Sequence, residues 1–216
     1  MKPILKTISW LLLTALAVAN AILAMRYLLP HVPLAAPLPN LKLHRLALTL
    51  HASFAAAALL IGPFEIVESF RSRWPHLHRR LGWMYVAAVA IAGLAGILLA
   101  PHANFGPIAG LGFLTLALAW LSSTGMALKL VIQGRYTGHR RWMLRSYALT
   151  AAAITLRVLL PAAEVMRLPP GPSYRANAWL CWLVNLGLVE MYLFMTPSAG
   201  FPLPQDRETE SLPIIP

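Results

Sequence analysis

The sequence predicts an all-α, polytopic transmembrane helical bundle of six spans, and three observations lead there. The composition is 58% hydrophobic and only 12% charged, where a soluble domain carries roughly a quarter charged residues. Six apolar runs come close to the ~20 residues that cross a hydrocarbon core as a helix. The Lys and Arg residues gather in short segments between those runs. Despite a net charge of +11, that is the pattern of membrane topology and not of a nucleic-acid interface.

In chain order, the first span lies near Ile8–Leu29. Lys2 and Lys6 precede it as they would a signal peptide, but its apolar run is too long for a signal core, and Arg26 and Tyr27 flank it. We read it as a retained helix. The connection Pro30–Lys42 contains Pro30, Pro33, Pro37 and Pro39 and reads as an extended surface strap. The second span, near Leu43–Val67, puts His44, His51, Gly62 and Glu65 on one arc, because seven residues make nearly two helical turns. The third, near Leu81–Ala100, carries Gly93 and Gly96. The fourth, near Ile108–Val131, carries Gly110 and Gly112, and all four glycines are small-residue positions that let helices approach. The fifth, near Trp142–Pro161, contains Arg145 and Arg157. The sixth, near Ala178–Met195, contains Glu190 and the single cysteine, Cys181. We read residues 1–195 as one transmembrane domain and 196–216 as a polar, Pro-rich cytoplasmic tail with Asp206, Glu208 and Glu210.

Basic residues set the expected orientation. Lys2, Lys6, Arg71, Arg73, Arg79, Arg80, Lys129, Arg135, Arg140 and Arg141 fall on one side, and Arg26, Lys42, Arg45, Arg167 and Arg175 on the other. The positive-inside rule then places both termini in the cytoplasm of a bacterial inner membrane. An internal similarity accompanies this. His78-Arg79-Arg80-Leu81-Gly82-Trp83-Met84-Tyr85 parallels His139-Arg140-Arg141-Trp142-Met143-Leu144-Arg145-Ser146-Tyr147 at a shift of 61 residues. Each copy opens a span running in the same direction, so spans two-three and four-five form a candidate parallel repeat. The competing reading is a generic interfacial anchor that arose twice.

Depth sorts the polar residues into two layers. One holds His44, His51, His102, Arg157 and Glu164; the other holds His76, His78, His139, Glu65, Glu68, Arg145 and Glu190. An arginine near mid-bilayer costs roughly 3 kcal/mol on insertion scales, so Arg145 and Arg157 are expected to face the bundle interior. A guanidinium stays protonated. It cannot relay protons, but it can hold a carboxylate, a quinone oxygen or a haem propionate. Glu190 or Glu65 is the expected partner of Arg145, and Glu164 that of Arg157. The histidines permit a b-type haem, which needs neutral imidazoles from two helices at one depth. His78 with His139 meets that condition, and His51 with His102 is the alternative at the other end. Interhelical packing polarity is the competing account of each residue.

Other chemistries lack a motif. A phosphate-binding glycine loop, His-Glu-x-x-His and Cys-x-x-Cys are all missing, and one cysteine excludes an internal disulfide. Trp10, Tyr27, Trp74, Trp83, Trp142 and Trp179, near span ends, read as an interfacial aromatic belt.

The stretch His139, Arg140, Trp142, Met143, Arg145, Ser146, Tyr147, Ala148, Leu149, Thr150, then Thr155, Leu156 and Arg157, resembles the hallmark of a family of predicted bacterial membrane proteins, domain of unknown function 2306. His51, Gly62-Pro63-Phe64, His78-Arg79, Gly82 and Tyr85 are similar to its upstream parts. Position 65 is Glu where the family pattern suggests Gln. The resemblance covers roughly spans two to five and implies membership without an activity.

The leading functional expectation is an electron-transfer component binding b-haem or a quinone in the core of spans two to five, in contact with the lipid bilayer. The site residues would be His78, His139, Arg145, Arg157, His51 and His102, with His78 and His139 on the haem iron. The alternatives are a non-catalytic accessory subunit or assembly factor of a larger membrane complex, and a small-molecule or ion carrier. No nucleic acid is expected, and no residue is assigned a catalytic role.

Overall fold

A computed structural model of the protein describes residues 3–24 and 44–196. The described residues form helices α1 (Pro3–Ala24), α2 (Arg45–Ile66), α3 (Glu68–Arg73), α4 (Pro75–Leu99), α5 (Pro107–Ile132), α6 (Tyr136–Thr150), α7 (Ala152–Val165) and α8 (Pro170–Met195), with a 3₁₀ turn at Ala100–His102. Among the described residues, five segments are long and apolar enough to cross a membrane: Arg45–Ile66, Pro75–His102, Pro107–Ile132, Tyr136–Val165 and Pro170–Met195. The apolar stretch of α1, Trp10–Ala24, is shorter. The rest of the expected first span, the proline strap and the tail beyond Thr196 lie outside the described residues.

Local chemistry explains the breaks. Pro75, Pro107 and Pro170 each open a helix, where the absent N–H is one that would lack a helical partner anyway. Gly134 closes α5 in the left-handed conformation (φ 72°), and the Arg135 amide reaches back to Leu130 O at 2.9 Å. The span Tyr136–Val165 is interrupted at Ala151. There the turn tightens, with Ile154 N donating to Ala151 O at 2.9 Å, three residues back as in a 3₁₀ turn.

Helix α2 packs along α4, α5 along α6, and α7 along α8, while α1 lies against α2 and α7. The contact faces are built from small side chains: Ala52, Ala56 and Ala58 on α2, Ala88, Ala92 and Ala95 on α4, and Ala109, Ala117 and Ala127 on α5 are buried. Leu46, Leu94, Leu98, Leu111, Leu188 and Phe194 point outward. This suits a membrane, where apolar bulk has no reason to leave lipid and close backbone approach holds helices together. At Gly112 an added Cβ would sit 3.0 Å from Ala178 O, so glycine permits the contact of α5 with α8.

The tightest fit involves Gly62-Pro63. A Cβ on Gly62 would overlap the ring of Tyr147 from α6. Pro63 has no N–H to give to the carbonyl four residues back, Leu59 O. The Tyr147 hydroxyl donates to that oxygen instead, at 3.3 Å, and Trp10 Nε1 donates to Pro63 O at 3.0 Å. Two adjacent residues thus seat α6 and α1 on α2.

Candidate functional site

Among the described residues, two cavities stand out in the bundle, one toward each end. The basic-end cavity, about 490 Å³, lies where α2 finishes and α4 and α6 begin. His78 and His139 both line it, each as the fourth residue of its helix. His139 Nδ1 lies 2.9 Å from Ala127 O. A carbonyl only accepts, so Nδ1 carries the proton and Nε2 is left as the basic nitrogen of the neutral ring. His78 Nδ1 sits 3.0 Å from Glu65 Oε2, without an aligned hydrogen bond between them. The Glu65 side chain is 5% exposed, and its Oε1 is buried without a hydrogen-bond partner. Arg71, Arg79 and Arg140 line the same cavity.

The far-end cavity, about 420 Å³, is lined by His51, Asn20, Arg157, Trp120 and Thr150 among apolar residues including Leu48, Phe113, Leu116 and Leu156. His51 Nδ1 is 2.9 Å from Ala92 O, so again Nε2 is the acceptor of the neutral ring. Arg157 donates through Nη1 to Asn20 Oδ1 at 3.2 Å and to Ala153 O at 3.2 Å.

Between the cavities lies a dry layer of hydroxyls. Tyr85 and Ser146 are both 0% exposed. Tyr85 OH is 2.8 Å from Ser146 Oγ and 2.8 Å from Thr150 Oγ1. Ser146 Oγ is 2.7 Å from Thr124 Oγ1, and Trp120 Nε1 donates to Thr150 Oγ1 at 2.9 Å. The hydroxyl protons can run from Thr124 through Ser146 and Tyr85 to Thr150, ending on Ser146 O, or the reverse way, ending on Trp120 O. Either order satisfies every hydroxyl, as burial demands. Tyr85 lines the basic-end cavity and Thr150 the far-end one, so a single hydrogen bond separates them.

The structure distributes the expected site residues differently from the sequence in four places. Arg145 lines neither cavity: it sits at the seam of α6 and α8, where Nε and Nη2 meet Glu190 at 2.5 and 2.8 Å and the Trp142 ring lies 4.7 Å away. Glu65 belongs to His78 and not to Arg145, because the end of α2 abuts the start of α4. Glu164 is exposed near the end of α7 and makes no ion pair with Arg157. It lies two turns further along the same helix, beyond the guanidinium's reach. His102 does not share a cavity with His51. The 3₁₀ turn carries it to the rim, where its ring stacks on His44 at 4.0 Å between centroids. Asn20, Tyr85, Trp120, Thr124 and Tyr147 escaped the sequence reading as site residues. Asn20 alone left a clear signal, an amide deep in an apolar run.

These features define a multi-pass membrane helical bundle with two histidine-lined cavities set back to back across a hydroxyl layer. The chain belongs to the family described as predicted membrane protein (DUF2306), whose model matches residues 48–193. No curated protein matches it, and no solved structure does.

Proposed function

We propose that the protein is an electron-transfer component of the bacterial inner membrane and that its basic-end cavity holds a b-haem between His78 and His139. The observation that carries this is the shared lining of one cavity by two histidines, His139 with its Nδ1 held by Ala127 O and His78 with its Nδ1 3.0 Å from the buried Glu65 carboxylate. Histidines that bind metal through one nitrogen usually donate the other to a carbonyl or a carboxylate, which fixes the ring and raises its basicity. Ala127 O and Glu65 are suited to those roles. A volume of about 490 Å³ is in the range of cofactor pockets. Arg71, Arg79 and Arg140 would meet the two propionates of a haem entering from the basic end. Among the described residues no group of three or more metal-ligating side chains gathers, so a two-histidine group suits the site better than a bare metal ion. The haem would supply one-electron transfer. His78 and His139 would hold it, and Glu65 would hold His78.

In this reading α1 is a sixth, retained span, since its Asn20 reaches the Arg157 guanidinium. Both termini are cytoplasmic, by the excess of basic residues at the end bearing the first cavity. Spans two-three and four-five form a parallel repeat. Two features support the repeat: His78 and His139 enter one cavity, and Tyr85 bonds Ser146, its counterpart at the same shift of 61 residues.

The test is an absorption spectrum of protein purified from haem-replete cells, oxidised and then reduced. A Soret band that shifts on reduction, and that His78→Ala or His139→Ala removes while His51→Leu keeps it, is the expected result. Colourless wild-type protein would overturn the proposal and favour an accessory subunit or assembly factor.

A further inference from the structure

The far-end cavity has a chemistry of its own, and its geometry stands independently of haem at the other end. Its walls are apolar, from Leu48, Phe113, Leu116 and Leu156. Into this lining, beside the polar side chains of Asn20, Asn104, Thr150 and Tyr174, the fold sets an imidazole acceptor and a permanent cation. The acceptor is His51, whose Nδ1–H is committed to Ala92 O at 2.9 Å, so its neutral ring can take a hydrogen bond only at Nε2. The cation is Arg157, oriented by Asn20 Oδ1 and Ala153 O in the lining of the same cavity. A ligand matched to both needs an O–H to donate, an oxygen to place against a guanidinium, and an apolar body. A carboxylate meets the cation but brings no proton for His51. An aromatic diol meets both, with hydroxyls on opposite edges of a flat apolar ring.

We propose that this cavity binds the ring of a membrane quinol, one hydroxyl donating to His51 Nε2 and the opposite oxygen lying against Arg157. The arrangement selects the reduced form, because a quinone has carbonyls at both positions and nothing to donate to an acceptor nitrogen. It also sets the ring against Trp120 and Thr150, one hydrogen bond from Tyr85 in the wall of the other cavity. The two ligand positions would thus be neighbours across the hydroxyl layer.

The experiment is anaerobic calorimetric titration of the full chain in detergent with a short-chain alkyl-benzoquinol, repeated with the corresponding quinone and with oleate. Saturable one-to-one quinol binding is expected, at least tenfold tighter than quinone binding. His51→Leu should weaken quinol binding at least tenfold and abolish the preference for the reduced form. Ala55→Phe, which plugs the cavity from α2, should remove binding altogether, and Leu128→Phe, at the basic-end cavity, should leave it unchanged. Folding of each variant is checked by its elution profile, and one folded far-end variant is enough to decide the outcome. The proposal is overturned if the quinol shows no saturable binding, if oleate binds and the quinol does not, or if binding survives in the folded far-end variants. Loss of binding in Leu128→Phe with retention in His51→Leu would also overturn it, by moving the ligand to the basic-end cavity. The spectrum that tests the haem proposal involves none of these titrations, so the two can fail separately.

Discussion

Gly62→Ala introduces a single methyl group where the ring of Tyr147 already lies. The overlap is with a side chain that is itself 5% exposed and borders the basic-end cavity, so the ring can relieve the clash only by leaving its seat on α2. Overpacking a well-filled core costs about 1–3 kcal/mol. Moving the ring also breaks the Tyr147 hydroxyl's bond to Leu59 O, the carbonyl that Pro63 leaves without its helical donor. Interhelical hydrogen bonds in membranes average about 0.6 kcal/mol and reach about 1.7. Together the change should destabilise the protein by roughly 2–4 kcal/mol, a melting-temperature drop of roughly 4–16 °C for a chain of this size. The assay is thermal unfolding in detergent of wild type, Gly62→Ala, Tyr147→Phe and Tyr147→Leu. Tyr147→Phe loses the hydroxyl alone and should cost less than half as much as Gly62→Ala. Adding Gly62→Ala to Tyr147→Leu should cost far less than adding it to wild type, because the ring is gone. A Gly62→Ala protein that melts with the wild type, or strict additivity with Tyr147→Leu, would refute the reasoning.

Two further predictions concern charge and topology. Arg145→Met or Glu190→Met alone should lower folded yield in detergent more than the double change does, since an orphaned charge costs more than an absent pair; the effect should be modest, because Glu190 is 48% exposed, and additive losses would contradict the pairing. Reporter fusions after Gly106 should read as periplasmic and fusions after Tyr136 as cytoplasmic, and the opposite pattern would invert the orientation.

The helical class and the apolar segments were legible in the sequence because both are one-dimensional quantities. A run of about 20 apolar residues has to cross, and its backbone has to be helical there, since lipid offers the peptide groups no partners. That Arg145 needs a partner is legible for a similar reason, as the cost of leaving it alone in lipid does not depend on the fold, although the pair it forms with Glu190 lies half-exposed at the seam of α6 and α8. Which carboxylate meets which cation does depend on the fold. Glu65 and Glu190 were equally eligible for Arg145, and only the abutment of α2 on α4 gives Glu65 to His78 and leaves Glu190, on α8, for Arg145. Likewise His102 shares a depth with His51 but not a cavity, because a three-residue 3₁₀ turn rotates it out to the rim. The hydroxyl layer was only partly legible: Tyr85, Ser146 and Thr150 fall within the family-like pattern, but nothing in the sequence joins them to one another or to Thr124 until three helices converge. Periodicity and hydropathy, the properties of single helices, were determined by the sequence alone. The ion pairs, the two cavities and the layer between them depend on the rotation of each helix about its own axis, and packing against the neighbouring helices decides that rotation.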